Sequence, residues 1–105
     1  MMEALANGRV LLDDGFATDR VVLLEGDRIA AVVAAGDARE AAARKHDLKG
    51  ALLLPGFVDS QVNGGGGALF NADPSVETIR TIGRAHRRFG TTSFLPTLIS
   101  DDLSV

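Results

Sequence analysis

Leu53-Leu54-Pro55-Gly56-Phe57-Val58-Asp59-Ser60-Gln61-Val62-Asn63-Gly64-Gly65-Gly66-Gly67 decides how this chain folds. Ala51 to Leu54 leads into it as a continuous apolar run, the pattern of a strand buried on both faces. Pro55-Gly56 interrupts the run, and Phe57 to Asn63 resumes in an extended, alternating manner. Residues two apart on a strand point to the same side, so Gln61 pairs with Asn63 and Asp59 with Phe57. Two amides at the end of a strand, followed at once by four glycines, stand where parallel barrels place their active-site side chains.

Beyond the glycines the pattern turns helical. Asp73 suits a capping position, Pro74 the first helical position and Gly90 the C-terminal cap. Val76, Ile79, Ile82 and Phe89 recur at helical spacing as an apolar stripe. Thr91 to Leu95 and Thr97 to Ile99 are β-rich and are broken by Pro96. Strand, helix and strand in this order predict a βαβ unit with parallel strands and a right-handed crossover. A complete (β/α)8 TIM-type barrel takes about 250 residues, so the α/β part reads as the start of a barrel and the chain as an incomplete fragment.

Toward the N-terminus the style is short β. Gly8 to Leu12, Val21 to Leu24 and Ile29 to Val33 read as strands. Asp14-Gly15 closes the first, and Gly26-Asp27 forms a hairpin turn between the other two. Asp37 to Lys45 reads as a short alanine-rich helix, capped by Asp37 with Glu40 reaching back. Residues 1–50 are thus expected to form part of a small β-sandwich domain and residues 51–105 the first βαβ unit of the barrel, with the junction near Lys49-Gly50.

Bulk properties narrow the function. The 105 residues are 46% hydrophobic and 24% charged, with a formal net charge of −3 and no long basic run. Nucleic acid as a partner is disfavoured, because phosphate binding needs a concentrated basic surface. Cysteine is absent, which excludes disulfides and thiolate metal sites. No segment reaches about 18 consecutive apolar residues, so no membrane span is expected. Met1 to Leu12 lacks the basic start and apolar stretch of a signal peptide. A cytoplasmic location is the expectation.

PGFVDSQVNGGGG resembles the first barrel strand of the amidohydrolase superfamily, in which Pro-Gly, an apolar pair and Asp precede a His-x-His metal motif. Here Gln61-Val62-Asn63 stands in place of those histidines. That replacement, with GALFN (Gly67 to Asn71) and GTTSFLPTLIS (Gly90 to Ser100), is similar to the N-acetylglucosamine-6-phosphate deacetylase branch, and the likeness runs from about Gly8 to Ser100. The resemblance implies a hydrolase acting on a sugar-phosphate substrate, releasing glucosamine 6-phosphate and acetate, and forming homodimers. It also implies a single divalent metal, zinc or similar, that polarises the acetamide carbonyl and lowers the pKa of a bound water. Its ligands, a Glu and two His, and an acid/base Asp would come from later strands. No catalytic residue and no metal ligand is therefore assigned in this chain. Neutral Gln and Asn oxygens bind transition metals less well than imidazole, which fits the loss or weakening of one metal position.

On this reading Gln61 and Asn63 line the active site, against the plainer one of strand-end amides satisfied by backbone. Asp59 is either a carboxylate that orients ligands from behind or a hydrogen-bonded strand residue. Gly64, Gly65, Gly66 and Gly67 form either a substrate-side loop cradling phosphate through N–H groups or, the favoured reading, a sharp turn. They lack the Gly-Lys-Ser/Thr ending of a nucleotide loop. His46, His86 and the Arg84, Arg87, Arg88 cluster are expected on solvated surface. Thr91-Thr92-Ser93 either hydrogen-bonds substrate or reflects threonine's strand propensity, which explains it equally well. Two other readings stand beside this one: a different amidohydrolase reaction, which the missing His-x-His disfavours, and a truncated, non-catalytic chain. The 105 residues alone are expected to be inactive.

Overall fold

Alternating small and branched apolar residues build the first of two units in the computed structural model, which describes residues 1–104. This unit is Met1–Pro55 and the second begins at Gly56. In the first, β1 (Met2–Ala6), β2 (Arg9–Leu12), β3 (Gly15–Ala17), β4 (Arg20–Glu25) and β5 (Arg28–Ala34) precede a short helix, α1 (Ala38–Ala42). Two further strands follow, β6 (Arg44–Asp47) and β7 (Leu52–Leu53). One sheet runs β5-β4-β1-β6 and the other β3-β2-β7. Ala4, Ala6, Val21, Leu23 and Val33 pack as a buried cluster on one face of β1, β4 and β5. The opposite face, with Leu5, Val22 and Val32, borders a cavity of about 200 Å³ shared with Val10 and Leu53 of the other sheet. The arrangement is β-sandwich-like, as the sequence predicts, and the β4–β5 hairpin turns at Gly26-Asp27.

Three details of this unit differ from expectation. β1, a segment to which the sequence reading assigns no element, is a full strand, antiparallel to β4 and parallel to β6, although Met-Glu-Ala-Leu-Ala carries helix propensity; tertiary pairing overrides the local preference. The helix ends at Ala42 instead of Lys45, and Ala43 is already extended at φ −93°, ψ 155°. Residues 44–47 gain a ladder with β1 that continued helix would forgo, and His46 Nε2 lies 2.6 Å from Glu3 Oε2 across it. Finally, Ala51 to Leu54 is not a barrel strand buried on both faces. Only Leu52–Leu53 is extended, it pairs in parallel with Arg9 and Val10 of β2, and Leu52 is 49% exposed. The junction accordingly falls after Pro55, because the turn at Lys49-Gly50 folds the chain back onto β2 through Arg9 N donating to Ala51 O at 2.9 Å.

The second unit contains β8 (Phe57–Val62), β9 (Gly64–Gly65), β10 (Ala68–Leu69), α2 (Val76–Arg87) and β11 (Thr91–Pro96). β8 and β11 are parallel neighbours with α2 between them in sequence, the expected βαβ order. The helix starts later than Asp73-Pro74 implies. Ser75 is the cap, its Oγ accepting from Thr78 N at 3.1 Å. Asp73 supports that cap from one step back, accepting from Ser75 Oγ at 3.0 Å and Thr78 Oγ1 at 2.9 Å. Glu77 in the first turn and Arg84, His86 and Arg87 in the last complement the helix dipole. The apolar stripe is realised only in part. Ile82 is fully buried, while Val76 is 64% and Phe89 75% exposed. Among the described residues no helix is long and apolar enough to cross a membrane.

Candidate functional site at the end of the second unit's first strand

Val62 is buried at the end of β8, and its neighbours Gln61 and Asn63 are exposed and half-buried. The pairing of β8 with β11 slips between Phe94 and Pro96, where proline has no N–H to give the ladder. Beside this irregularity Gln61 N donates to Asp59 Oδ1 of its own strand at 3.1 Å. Asp59 thus makes a local strand contact. Asn63 Nδ2 donates to Thr97 O at 3.0 Å, and Thr97 N donates to Val62 O at 2.9 Å. The two predicted amides therefore differ: Asn63 ties down the exit of β11, whereas Gln61 presents its side chain at the surface.

The glycines close a tight hairpin. Gly64–Gly65 pairs antiparallel with Ala68–Leu69, and the two-residue turn, Gly66 and Gly67, has φ of 63° and 82°. Positive φ at both central positions is what such a hairpin turn demands and what side chains resist. A Cβ on Gly64 would stand 2.6 Å from Ala68 O, and one on Gly65 would stand 2.9 Å from His86 Nε2. This geometry is that of a shaped turn.

His86 is not the solvated surface residue that its basic neighbours predict. It is half-buried, and its Nε2 lies 2.9 Å from Gly64 O; donation to that carbonyl requires the proton on Nε2. His46 is likewise half-buried, engaged with Glu3. Arg84, Arg87 and Arg88 are exposed as expected. Thr92 Oγ1 lies 3.4 Å from Phe57 O, a long contact within the sheet. A residue that sequence reading passed over is Asn71. Its Nδ2 donates to Ile99 O at 2.8 Å, and its Oδ1 accepts from Ile99 N at 2.7 Å. Residues 28 apart in sequence leave no spacing signal, so only the structure reveals this pair.

The rim is built of neutral amides, backbone groups and one carboxylate. It can hydrogen-bond a hydroxylated or anionic small molecule, but it offers no nucleophile with an adjacent base. Among the described residues no group of three or more His, Cys, Asp or Glu could hold a metal ion. With Asp59 turned to Gln61 N, the residues present do not fit a metal centre by themselves.

No family model matches the sequence. The chain is 41% identical over 103 residues to an N-acetylgalactosamine-6-phosphate deacetylase of Shewanella sp. (strain ANA-3), covering 96% of the chain and 26% of that relative. It is 37% identical over 100 residues to the N-acetylglucosamine-6-phosphate deacetylase of Haemophilus influenzae, covering 95% of the chain and again 26% of the relative. The crystal structure of N-acetylglucosamine-6-phosphate deacetylase from Pasteurella multocida superposes with a TM-score of 0.88 at 35% identity, covering 99% of the chain and 27% of that structure. The chain thus spans about a quarter of the length of the relatives it matches.

Proposed function

Because the chain is related along nearly its whole length to the N-terminal part of N-acetylhexosamine-6-phosphate deacetylases, we propose that it contributes to a hydrolase of that kind. The reaction adds water across the acetamide of N-acetylglucosamine 6-phosphate, breaking the C–N bond to give glucosamine 6-phosphate and acetate. The observation that carries this reading is the likeness to two deacetylases named for amino-sugar 6-phosphates, which continues through the β8 end and the glycine hairpin. In this proposal the segment from Gly56 onward is the first βαβ of a (β/α)8 barrel. Gln61 and Asn63 lie on its substrate-facing rim, Asp59 braces the strand behind them, and Gly64 to Gly67 shape the adjoining turn. Gln61 offers both a donor and an acceptor to sugar hydroxyls or phosphate. A divalent metal, zinc or similar, would need ligands other than these. A cytoplasmic homodimer completes the reading.

A second reading keeps the chemistry and changes the sugar. The relative at 41% identity is named for the galactosamine compound, which differs from the glucosamine one in the orientation of a single ring hydroxyl. Acetate release by the full-length protein from both N-acetylhexosamine 6-phosphates, compared as kcat/KM, separates the two. Preference for the glucosamine substrate supports the first reading and the reverse preference supports the second. Release from neither overturns both.

A further inference from the structure

Asn71 makes two hydrogen bonds to the backbone of one residue, Ile99, in opposite senses. Its side-chain amide therefore pairs with the chain as a strand backbone would. The orientation of the amide is fixed by its partners, since a flip would set Nδ2 against an N–H and Oδ1 against a carbonyl. Two residues earlier, Thr97 N donates to Val62 O and Thr97 O accepts from Asn63 Nδ2. The exit of β11, Thr97 to Ile99, is thus held by four hydrogen bonds to the end of β8 and to the segment just after β10. The hairpin itself is tied to β8, because Phe70 N donates to Asn63 O at 2.8 Å. Strand pairing reaches no further than this point: after a register shift between Phe94 and Pro96 the ladder closes at Pro96 opposite Val62, and proline gives no donor, so beyond the Thr97 N bond the exit is held by side-chain amides. Beside Asn71, Leu98, Ile99 and Ser100 line a depression of about 260 Å³.

We infer that Asn71 is a positioning residue: it locks the exit of β11 to the glycine hairpin, so that the two strand ends bordering the substrate rim move as one body. The link to substrate rests on the deacetylase reading, while the lock itself does not. Asn71 touches no reacting atom in this account. It acts through Ile99 and Thr97 on the segment that faces Asn63.

The test uses the full-length protein, with Asn71→Ala, which removes both bonds, and Asn71→Asp, which keeps the acceptor for Ile99 N and loses the donor to Ile99 O. Amide hydrogen exchange reads the lock and steady-state kinetics on the better N-acetylhexosamine 6-phosphate reads the positioning. In Asn71→Ala, exchange at Ile99 should accelerate about tenfold or more, the size expected for losing two modest hydrogen bonds. The kcat/KM should fall by a similar factor, mostly through kcat if the rim is aligned in the transition state. Exchange at Val22 and Leu23, in the first unit, should not change, which separates a local release from general unfolding. Asn71→Asp should protect Ile99 better than Asn71→Ala does. Unchanged exchange at Ile99 overturns the lock, and faster exchange with unchanged kcat/KM overturns the positioning role. A wild-type protein that releases no acetate sinks the deacetylase reading and the role resting on it, while the exchange result still decides the lock.

Discussion

Gly66 carries a φ of 63° at the tip of the hairpin, and a Cβ placed there would stand 3.2 Å from the Ala85 side chain. Gly66→Ala should therefore destabilise the protein by about 1–2 kcal/mol, the cost of a left-handed conformation for an L-residue, measured by chemical denaturation. A change near zero would mean that the turn rearranges freely. Gln61 and Asn63 permit a test of a different kind. Both offer only neutral amide oxygens where imidazole would bind transition metals well. The double variant Gln61→His/Asn63→His in the full-length protein should hold more zinc per chain than wild type after dialysis, measured by elemental analysis. Equal metal content would contradict the placing of the two side chains on one face. At this scale the sequence shows which residue types stand at the strand end, and spacing predicts that they share a side. It does not show that Asn63 spends its amide on Thr97 O, or that His86 reaches Gly64 O. Both partners are brought near by the fold and not by the local chain.

The short helix α1 depends on Glu40, which is buried at 7% exposure yet charged. Lys45 Nζ, 2.6 Å away, and then the Gly36 N–H hold its carboxyl below the usual glutamate range, with burial opposing them. A carboxyl with a lowered folded-state pKa stabilises the fold above its unfolded value and loses that contribution as pH falls through the folded value. The stability difference between wild type and Glu40→Gln should thus be largest near neutral pH and shrink toward zero below the glutamate range, about 4.3. A difference that is flat with pH would refute the pairing. The helix was legible through Asp37 and Glu40, but its end was not. Alanine-rich sequence favours continued helix, and only the pairing of β6 with β1 stops it at Ala42. The same competition hid β1. It also gave β7 to the first unit: a buried-looking apolar run becomes a short strand at 49% exposure for Leu52 because its partner is Arg9-Val10.

At the scale of the whole molecule, each unit leaves apolar surface uncovered within this chain. Phe57, Val58 and Leu95, on β8 and β11, are 55%, 76% and 62% exposed. A two-stranded parallel sheet with one helix covers only part of its own surface, and parallel sheets are stable when both faces are covered. In the proposed barrel, neighbouring strands and helices would supply that cover, and with it the chemistry that the rim at Gln61 and Asn63 lacks. The βαβ order and the β-sandwich-like first unit were readable in advance, because strand periodicity, turn glycines and helix caps are local signals. The closure of a barrel is a long-range property that no local pattern of residues signals. The direct test is acetate release from N-acetylglucosamine 6-phosphate by two proteins side by side, the full-length product and the 105-residue chain. Release by the first and none by the second is the expected result. Activity of the 105-residue chain alone, or none from the full-length protein with either N-acetylhexosamine 6-phosphate, would contradict it.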